Sequence, residues 1–422
     1  MSAFDVGSLI LLLATAVGII NERYFRLPSV IAQLLGSLLL SLVIILVSHL
    51  INNLHFAALF EKRVHGAHLP GVFLDGVLAL LLFAASLQAD LRELRSNAAS
   101  VFCLATVGVI LSTTFFTLSF WGILQIFGIA IPIAWCFLLG AILAPTDAVA
   151  VQGLLKHSRL PGKLKSVIVG ESLFNDGTAI VLFLTALAAI GGQHHILGHG
   201  RVLYAMLVEG GGGIALGLAA GFVASAIIAI TKDDEIAVLA SLAFALGTYR
   251  LASGIGLSGP LAVVCCGIVM STRLTRHGGE RERLDKISAF WFLVDNLLNI
   301  LLFVLLGFEI FTLNISGIAF VSAAIAIPLV LASRFLSVAL PFGVFRIGKV
   351  GDQRTPYLLT WLGLRGAISV ALVQDIPTGP YNDALVAASY VVVIFTIVVQ
   401  GLSTPRIIRA LYPSAHIAAG GT

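Results

Sequence analysis

Residues 170–183 read Gly-Glu-Ser-Leu-Phe-Asn-Asp-Gly-Thr-Ala-Ile-Val-Leu-Phe: two carboxylates, an amide and two hydroxyls set inside an apolar run at 166–189. A helix of that length crosses the roughly 30 Å hydrocarbon core of a bilayer. A carboxylate at the centre of such a span costs about 2.5–3.5 kcal/mol even on lenient insertion scales, so Glu171 and Asp176 are functional candidates by default. On a helix, residues four apart share a face. Glu171 then lies above Asn175, and Ser172 above Asp176. Two neighbouring polar faces result, rich in hard oxygen atoms suited to a small hard cation. The competing reading is an interhelical polar lock with no transport role.

Composition places this run in a membrane. The chain has 422 residues, 59% hydrophobic and 11% charged, with a mean hydropathy of +1.04. A soluble domain needs about 25% charged residues to cover its surface. An ordinary soluble enzyme, a nucleic-acid-binding module and a disordered regulator are thereby excluded. An all-α polytopic membrane protein with no large soluble domain is expected. Cys103, Cys136, Cys265 and Cys266 fall in apolar runs without a CxxC pair, which indicates neither a disulfide framework nor a zinc site. The N-terminal Met-Ser-Ala-Phe-Asp lacks a basic region, so the first apolar run reads as a retained span.

Apolar segments fall at about 4–20, 28–47, 70–87, 98–120, 132–153, 166–189, 203–230, 236–253, 260–272, 287–309, 317–342, 356–374 and 384–401, which makes thirteen spans; 260–272 is the shortest. The distribution of basic residues tests that number. With the N-terminus outside, 19 of the 25 Lys and Arg fall in cytoplasmic segments. Three (Lys62, Arg63, Arg201) fall outside and three (Arg250, Arg334, Arg365) within spans. An error of one span would destroy this asymmetry, so the expected topology is N-terminus out and C-terminus in the cytoplasm. His194, His195 and His199 then cluster outside, as a solvated loop in preference to a metal or pH-sensing site.

An odd number permits two six-span halves of opposite orientation joined by the seventh span. Span five then pairs with span twelve. The first reads Ala-Pro-Thr-Asp-Ala-Val-Ala-Val at 144–151, the second Leu-Arg-Gly-Ala-Ile-Ser-Val-Ala at 364–371. Each sets a charge, Asp147 or Arg365, beside helix-weakening residues. Interrupted helices at matching positions point to a transporter's binding site. Pro145 removes a backbone donor, and carbonyls freed by the break can coordinate a cation if they line a cavity. Thr146 adds a hydroxyl, and Asp147 can cap the positive end of a half-helix. Arg365 lacks a counter-charge nearby and could pair with Glu171. Arg334 is placed to snorkel inward, and Asp295 is a secondary deep candidate. In the connector, Gly213, Gly217 and Gly221 line one helix face, which predicts close helix packing.

The stretches GESLFNDGTAIVLF (170–183) and APTDAVAV (144–151) together resemble the monovalent cation:proton antiporter-1 family, the NhaP/NHE-type sodium/proton exchangers. LLLFAASLQADLREL (80–94), LNILLFVLLGFEI (298–310) and LGLRGAISVAL (362–372) extend the likeness over nearly the whole chain, in order. The resemblance implies a thirteen-helix inverted repeat with crossed unwound helices. It implies a homodimer in the bilayer, with a dimerisation part at about 1–97 and 231–310, a moving core at about 98–190 and 317–402, and a connector at about 203–230. By motif, Asp176 is the carboxylate that binds cation or proton. Asn175 completes the Asn-Asp pair associated with electroneutral exchange, and Ser172 and Thr146 match cation ligands. Asp147 matches the acid of the unwound helices, and Glu171 with Arg365 matches a core ion pair. The chain departs from the family in carrying Thr-Asp-Ala at 146–148 where Thr-Asp-Pro is usual.

The expected function is exchange of Na⁺, with Li⁺ a further substrate, for H⁺ across a plasma (inner) membrane, one for one. The implied substrates need no cofactor and no nucleic acid, and the protein is a transporter rather than an enzyme. A K⁺/H⁺ exchanger of the same fold is the near alternative. An intramembrane serine protease is the remote one, raised by Gly256-Leu257-Ser258-Gly259, but no later span holds a deep His.

Overall fold

The structure is a computed structural model. It describes residues 3–25, 27, 31–40, 72–87, 96–155, 158, 160–191, 205–276, 281–309, 317–344 and 352–413. His194, His195, His199, Lys62, Arg63 and Arg201 lie outside them.

All regular structure among the described residues is helical. In chain order the helices are α1 (Ala3–Ile20), α2 (Ile31–Leu40), α3 (Val72–Leu87) and α4 (Ala98–Ile126). Then come α5a (Ile133–Ile142) and α5b (Ala148–Leu155), α6 (Gly162–Ile190), α7 (Gly211–Ile230), α8 (Asp234–Gly254) and α9 (Gly259–Arg276). The chain continues through α10 (Arg281–Glu309), α11 (Gly317–Val344), the halves α12a (Thr355–Trp361) and α12b (Ala367–Gln374), and α13 (Asn382–Leu411). Among the described residues seven helices are long and apolar enough to cross a membrane, and four shorter apolar helices accompany them. The segment at 260–272 belongs to the 18-residue α9, longer than its apolar stretch suggested because a largely polar turn at 273–276 extends it.

α6 is the most enclosed of the long helices, and it packs against α5a, α5b, α4 and α9. Such enclosure explains how a helix with Glu, Asn and Asp along it can lie within the bilayer: Glu171, Asn175 and Asp176 are buried in protein, away from lipid. α11 runs against α4 and α13, and α10 lies against α3, α8 and α12b.

The glycine face of α7 is used as its spacing predicts. Cβ atoms added at Gly213, Gly217 and Gly221 would run into the backbone carbonyls of Ser258, Ala262 and Cys266. α7 and α9 therefore meet backbone to backbone along two turns, an approach that only residues without a side chain permit.

Candidate cation site at the crossing of two broken helices

Both interrupted segments are broken where their sequences are weakest. α5 stops at Ile142 and resumes at Ala148; α12 stops at Trp361 and resumes at Ala367. The two breaks touch. The Asp147 backbone N–H donates to the Leu364 carbonyl at 2.8 Å, and the Ser369 hydroxyl donates to the Ile142 carbonyl at 2.8 Å. Gly366 permits the approach, since a Cβ there would overlap the Asp147 side chain.

The half-helix ends carry partial charges, and the breaks supply matching full ones. At the negative end of α5a, the Arg365 guanidinium donates from one nitrogen to the carbonyls of both Ala144 and Pro145, the latter at 2.9 Å. At the positive end of α5b, Asp147 Oδ1 accepts from the Ala150 N–H at 3.0 Å, an N-cap. The capping role read from the sequence is thus realised. The carbonyls of Ala144 and Pro145 are held by Arg365, so these two freed acceptors are spent within the protein. A widened turn at Thr396–Gln400 sets the Thr396 hydroxyl against the second break, where it accepts from the Arg365 backbone N–H at 3.2 Å.

The buried ion pair differs from the expected one. Glu171 pairs with Arg334 of α11, not with Arg365. Arg334 Nη1 and Nη2 donate to Glu171 Oε1 and Oε2 at 2.9 and 2.7 Å, a two-point fork. Arg334 does not snorkel: it is 3% exposed. Arg365 has one guanidinium nitrogen committed to the break carbonyls, while Arg334 reaches Glu171 from α11 with both tips of its fork. Asn175 Nδ2 adds a third donor to Glu171, at 3.0 Å. With three charged or polar donors, Glu171 is neutralised inside the protein.

Asp176 is the contrast. It is 5% exposed, and among the described residues no donor or basic group bonds its carboxylate. It lines a cavity of about 30 Å³ together with Thr146, Asp147, Ser369 and Asn299. A space of that size accommodates about one water molecule, and a dehydrated monovalent cation is of similar scale. Beside it, Thr146 Oγ1 lies 2.8 Å from Ser172 Oγ and accepts from Asn175 Nδ2 at 2.7 Å. Thr146 thus accepts from Asn175 and shares one further hydrogen bond with Ser172, in which either hydroxyl can donate. Asn175 thereby links the locked carboxylate to the hydroxyls near the open one.

The structure therefore brings together Thr146, Ser172 and Asn175 in one hydrogen-bonded cluster. It places Thr146, Asp147 and Asp176 on one cavity, and sets Arg365 on the break rather than on Glu171. Arg334 and Asn299 enter as site residues that the sequence reading had not assigned. Asp295 is 1% exposed and bonded by Asn299. Ser258, the candidate protease serine, sits at the start of α9, where its hydroxyl accepts from the Leu261 N–H at 3.4 Å. No group of three or more His, Cys, Asp or Glu side chains placed to hold a metal occurs among the described residues.

Comparison with known proteins agrees with this geometry. Residues 9–410 match the sequence model of a family described as sodium/hydrogen exchanger, transmembrane. The Na⁺/H⁺ antiporter NhaP of Pseudomonas aeruginosa is 32% identical over 417 residues, with 97% of each chain covered. The Na⁺/H⁺ antiporter NhaH of Halobacillus dabanensis is 29% identical over 408 residues, covering 96% of this chain and 97% of that one. Among solved structures, the sodium proton antiporter MjNhaP1 of Methanocaldococcus jannaschii at pH 8 superposes with a TM-score of 0.71 at 19% identity, over 97% of this chain and 98% of that one. The crossed broken helices thus stand in a fold already seen in an antiporter, and the chain belongs to the sodium/hydrogen exchanger family.

Proposed function

We propose that this protein exchanges Na⁺ for H⁺ across the membrane in which it is embedded. Asp176 is the shared binding group. The observation that carries the reading is the Asp176 carboxylate, unpartnered among the described residues, on a cavity of ionic size, one turn from a carboxylate that is fully locked. A buried carboxylate without a protein partner must be neutralised by an ion from outside the chain. A proton and a monovalent cation both do this, and the single negative charge of the carboxylate is satisfied by one of them at a time.

Competition then gives exchange. With Na⁺ bound, Asp176 takes further oxygen ligands from Thr146, Ser172 and water. With H⁺ bound, those oxygens are released. The crossed breaks carry the site between the two sides only when the carboxylate is neutralised, since moving a bare charge past the apolar walls is too costly. If Asp176 alone changes occupancy, one Na⁺ exchanges for one H⁺ and the cycle is electroneutral. Asp147 and Arg365 stay with the half-helix ends throughout, so they add no charge movement.

In this reading the core comprises about 98–190 and 317–402, and it moves against a dimerisation part at about 1–97 and 231–310, with about 203–230 as connector. The protein works as a homodimer in a plasma membrane, N-terminus outside and C-terminus in the cytoplasm. The test is cation-induced dequenching of a pH-sensitive dye in proteoliposomes. Na⁺ should drive proton movement, unchanged when the membrane potential is clamped. The apparent affinity for Na⁺ should fall as proton concentration rises, the signature of a shared site. Proton-independent Na⁺ flux would overturn the reading.

A further inference from the structure

Every side-chain ligand named so far comes from the broken helices or α6. The cavity has another wall. Asn299 of α10 lines it beside Thr146, Asp147 and Asp176 and is 3% exposed. Its amide nitrogen is fully used: Nδ2 donates to the Asp295 backbone carbonyl at 2.9 Å and to Asp295 Oδ1 at 3.1 Å. An amide nitrogen has two hydrogens, and a backbone carbonyl can only accept. The orientation of the Asn299 amide is therefore fixed, whether or not Asp295 carries a proton. Its oxygen must point away from Asp295. Among the described residues nothing donates to that oxygen, and it is not sealed in packing, so it borders open space.

We infer that Asn299 is a cation ligand of the cavity, presented oxygen-first from α10 because Asp295 holds its amide nitrogen. The inference rests on the exchange reading above. An amide oxygen is a hard, neutral ligand. It adds coordination to a monovalent cation without adding charge, and it does not bind a proton near neutral pH. Asn299 thus strengthens Na⁺ binding at Asp176 and leaves proton binding alone. Asp295 acts through Asn299 as a positioning residue. Because α10 is outside the helices that carry the other ligands, this ligand is supplied by a separate element of the cavity lining.

The experiment uses the full chain in proteoliposomes with the pH-dye assay, under Na⁺ titration. Asn299→Ala should raise the apparent KM for Na⁺ roughly fivefold with Vmax within about twofold of the parent, the pattern of a lost binding contact. Asp295→Leu keeps the backbone carbonyl and loses only the side-chain acceptor, so it should shift KM in the same direction by less, and Asp295→Asn, whose amide oxygen still accepts, should stay close to the parental value. As a readout apart from transport, Na⁺ should raise the melting temperature of the purified parent, and Asn299→Ala should need several-fold more Na⁺ for the same rise. Where Asn299→Ala fails to fold, Asn299→Ser replaces it: its hydroxyl reaches back to the Asp295 carbonyl, and the same KM increase is expected. An unchanged KM in a folded Asn299 variant, or a loss confined to Vmax, would make Asn299 a packing residue and overturn the inference. An inactive parent, or an Asp176→Asn variant that still exchanges, would overturn the exchange reading itself and this inference with it. An active parent with a silent Asp176→Asn leaves the Asn299 variants to decide this inference alone.

Discussion

Glu171 and Asp176 stand five residues apart on one helix, both almost fully buried, 1% and 5% exposed. Their surroundings differ. Glu171 accepts from both tips of the Arg334 fork and from Asn175. Asp176 meets no donor among the described residues and opens on a cavity. Burial alone does not make a carboxylate functional. A buried carboxylate that the protein satisfies is a strut, and one left unsatisfied is a site for an ion from outside. The same division runs through the breaks, where Arg365 occupies carbonyls that would otherwise have faced a cation, while the Thr146 and Ser172 hydroxyls stay beside the open acid.

The largest effect should come from the open side. Asp176→Asn keeps volume and polarity, and Asn needs no counter-ion. Na⁺/H⁺ exchange in proteoliposomes should fall at least about a hundredfold, while the melting temperature in detergent stays at or above the parental value. A clear drop in melting temperature would mean that Asp176 is held by the protein after all, and would erase the contrast.

The locked side predicts the reverse pattern. Arg334→Ala strands Glu171 as a buried charge, and breaking such a pair costs about 3–5 kcal/mol of stability. Pairing the change with Glu171→Gln removes the stranded charge and should recover most of that loss in a denaturation experiment. Arg365→Ala should cost less, about 1.5–3 kcal/mol, since its acceptors are neutral carbonyls rather than a carboxylate. The ranking is the sharp part. If Arg365→Ala proves the more damaging, Glu171 draws its compensation from Arg365 and the pairing seen here is not the one that holds the core.

The positions of the breaks were legible in the sequence, because Pro145, Gly366 and a deep charge at each are local signals. The glycine face of α7 was legible for the same reason, since a spacing of four is a property of one helix. The partner of Glu171 was not. Arg334 is 163 positions away, and hydropathy placed it close enough to a span end to reach water. Which arginine meets Glu171 depends on where α11 is held by α4 and α13, and no local pattern encodes that. Asn299 had a faint signal: Asp295 and Asn299 are four apart in the mostly apolar span at 287–309, a spacing that puts both on one face. The pair gave no hint of which wall it would occupy, because that follows from the packing of α10 against α12b.

Asp147 lies between the two categories and tests whether they are distinct. Its carboxylate lines the cavity with Asp176, yet one oxygen is engaged as the cap of α5b. Asp147→Asn keeps a side-chain oxygen for the cap, and Asn and Asp are about equal in that role, so stability should change by less than about 0.5 kcal/mol. Asp147→Ala loses the cap and should cost about 1 kcal/mol. For exchange, Asp147→Asn removes only a neighbouring charge that attracts the cation, so the apparent KM for Na⁺ should rise about twofold with Vmax retained. This is the smallest effect of the series and the most discriminating. Should Asp147→Asn be as silent as Asp176→Asn, the cation is held by two carboxylates together. The cavity would then take a second neutralising charge, and the one-for-one exchange that follows from a single open acid would no longer hold.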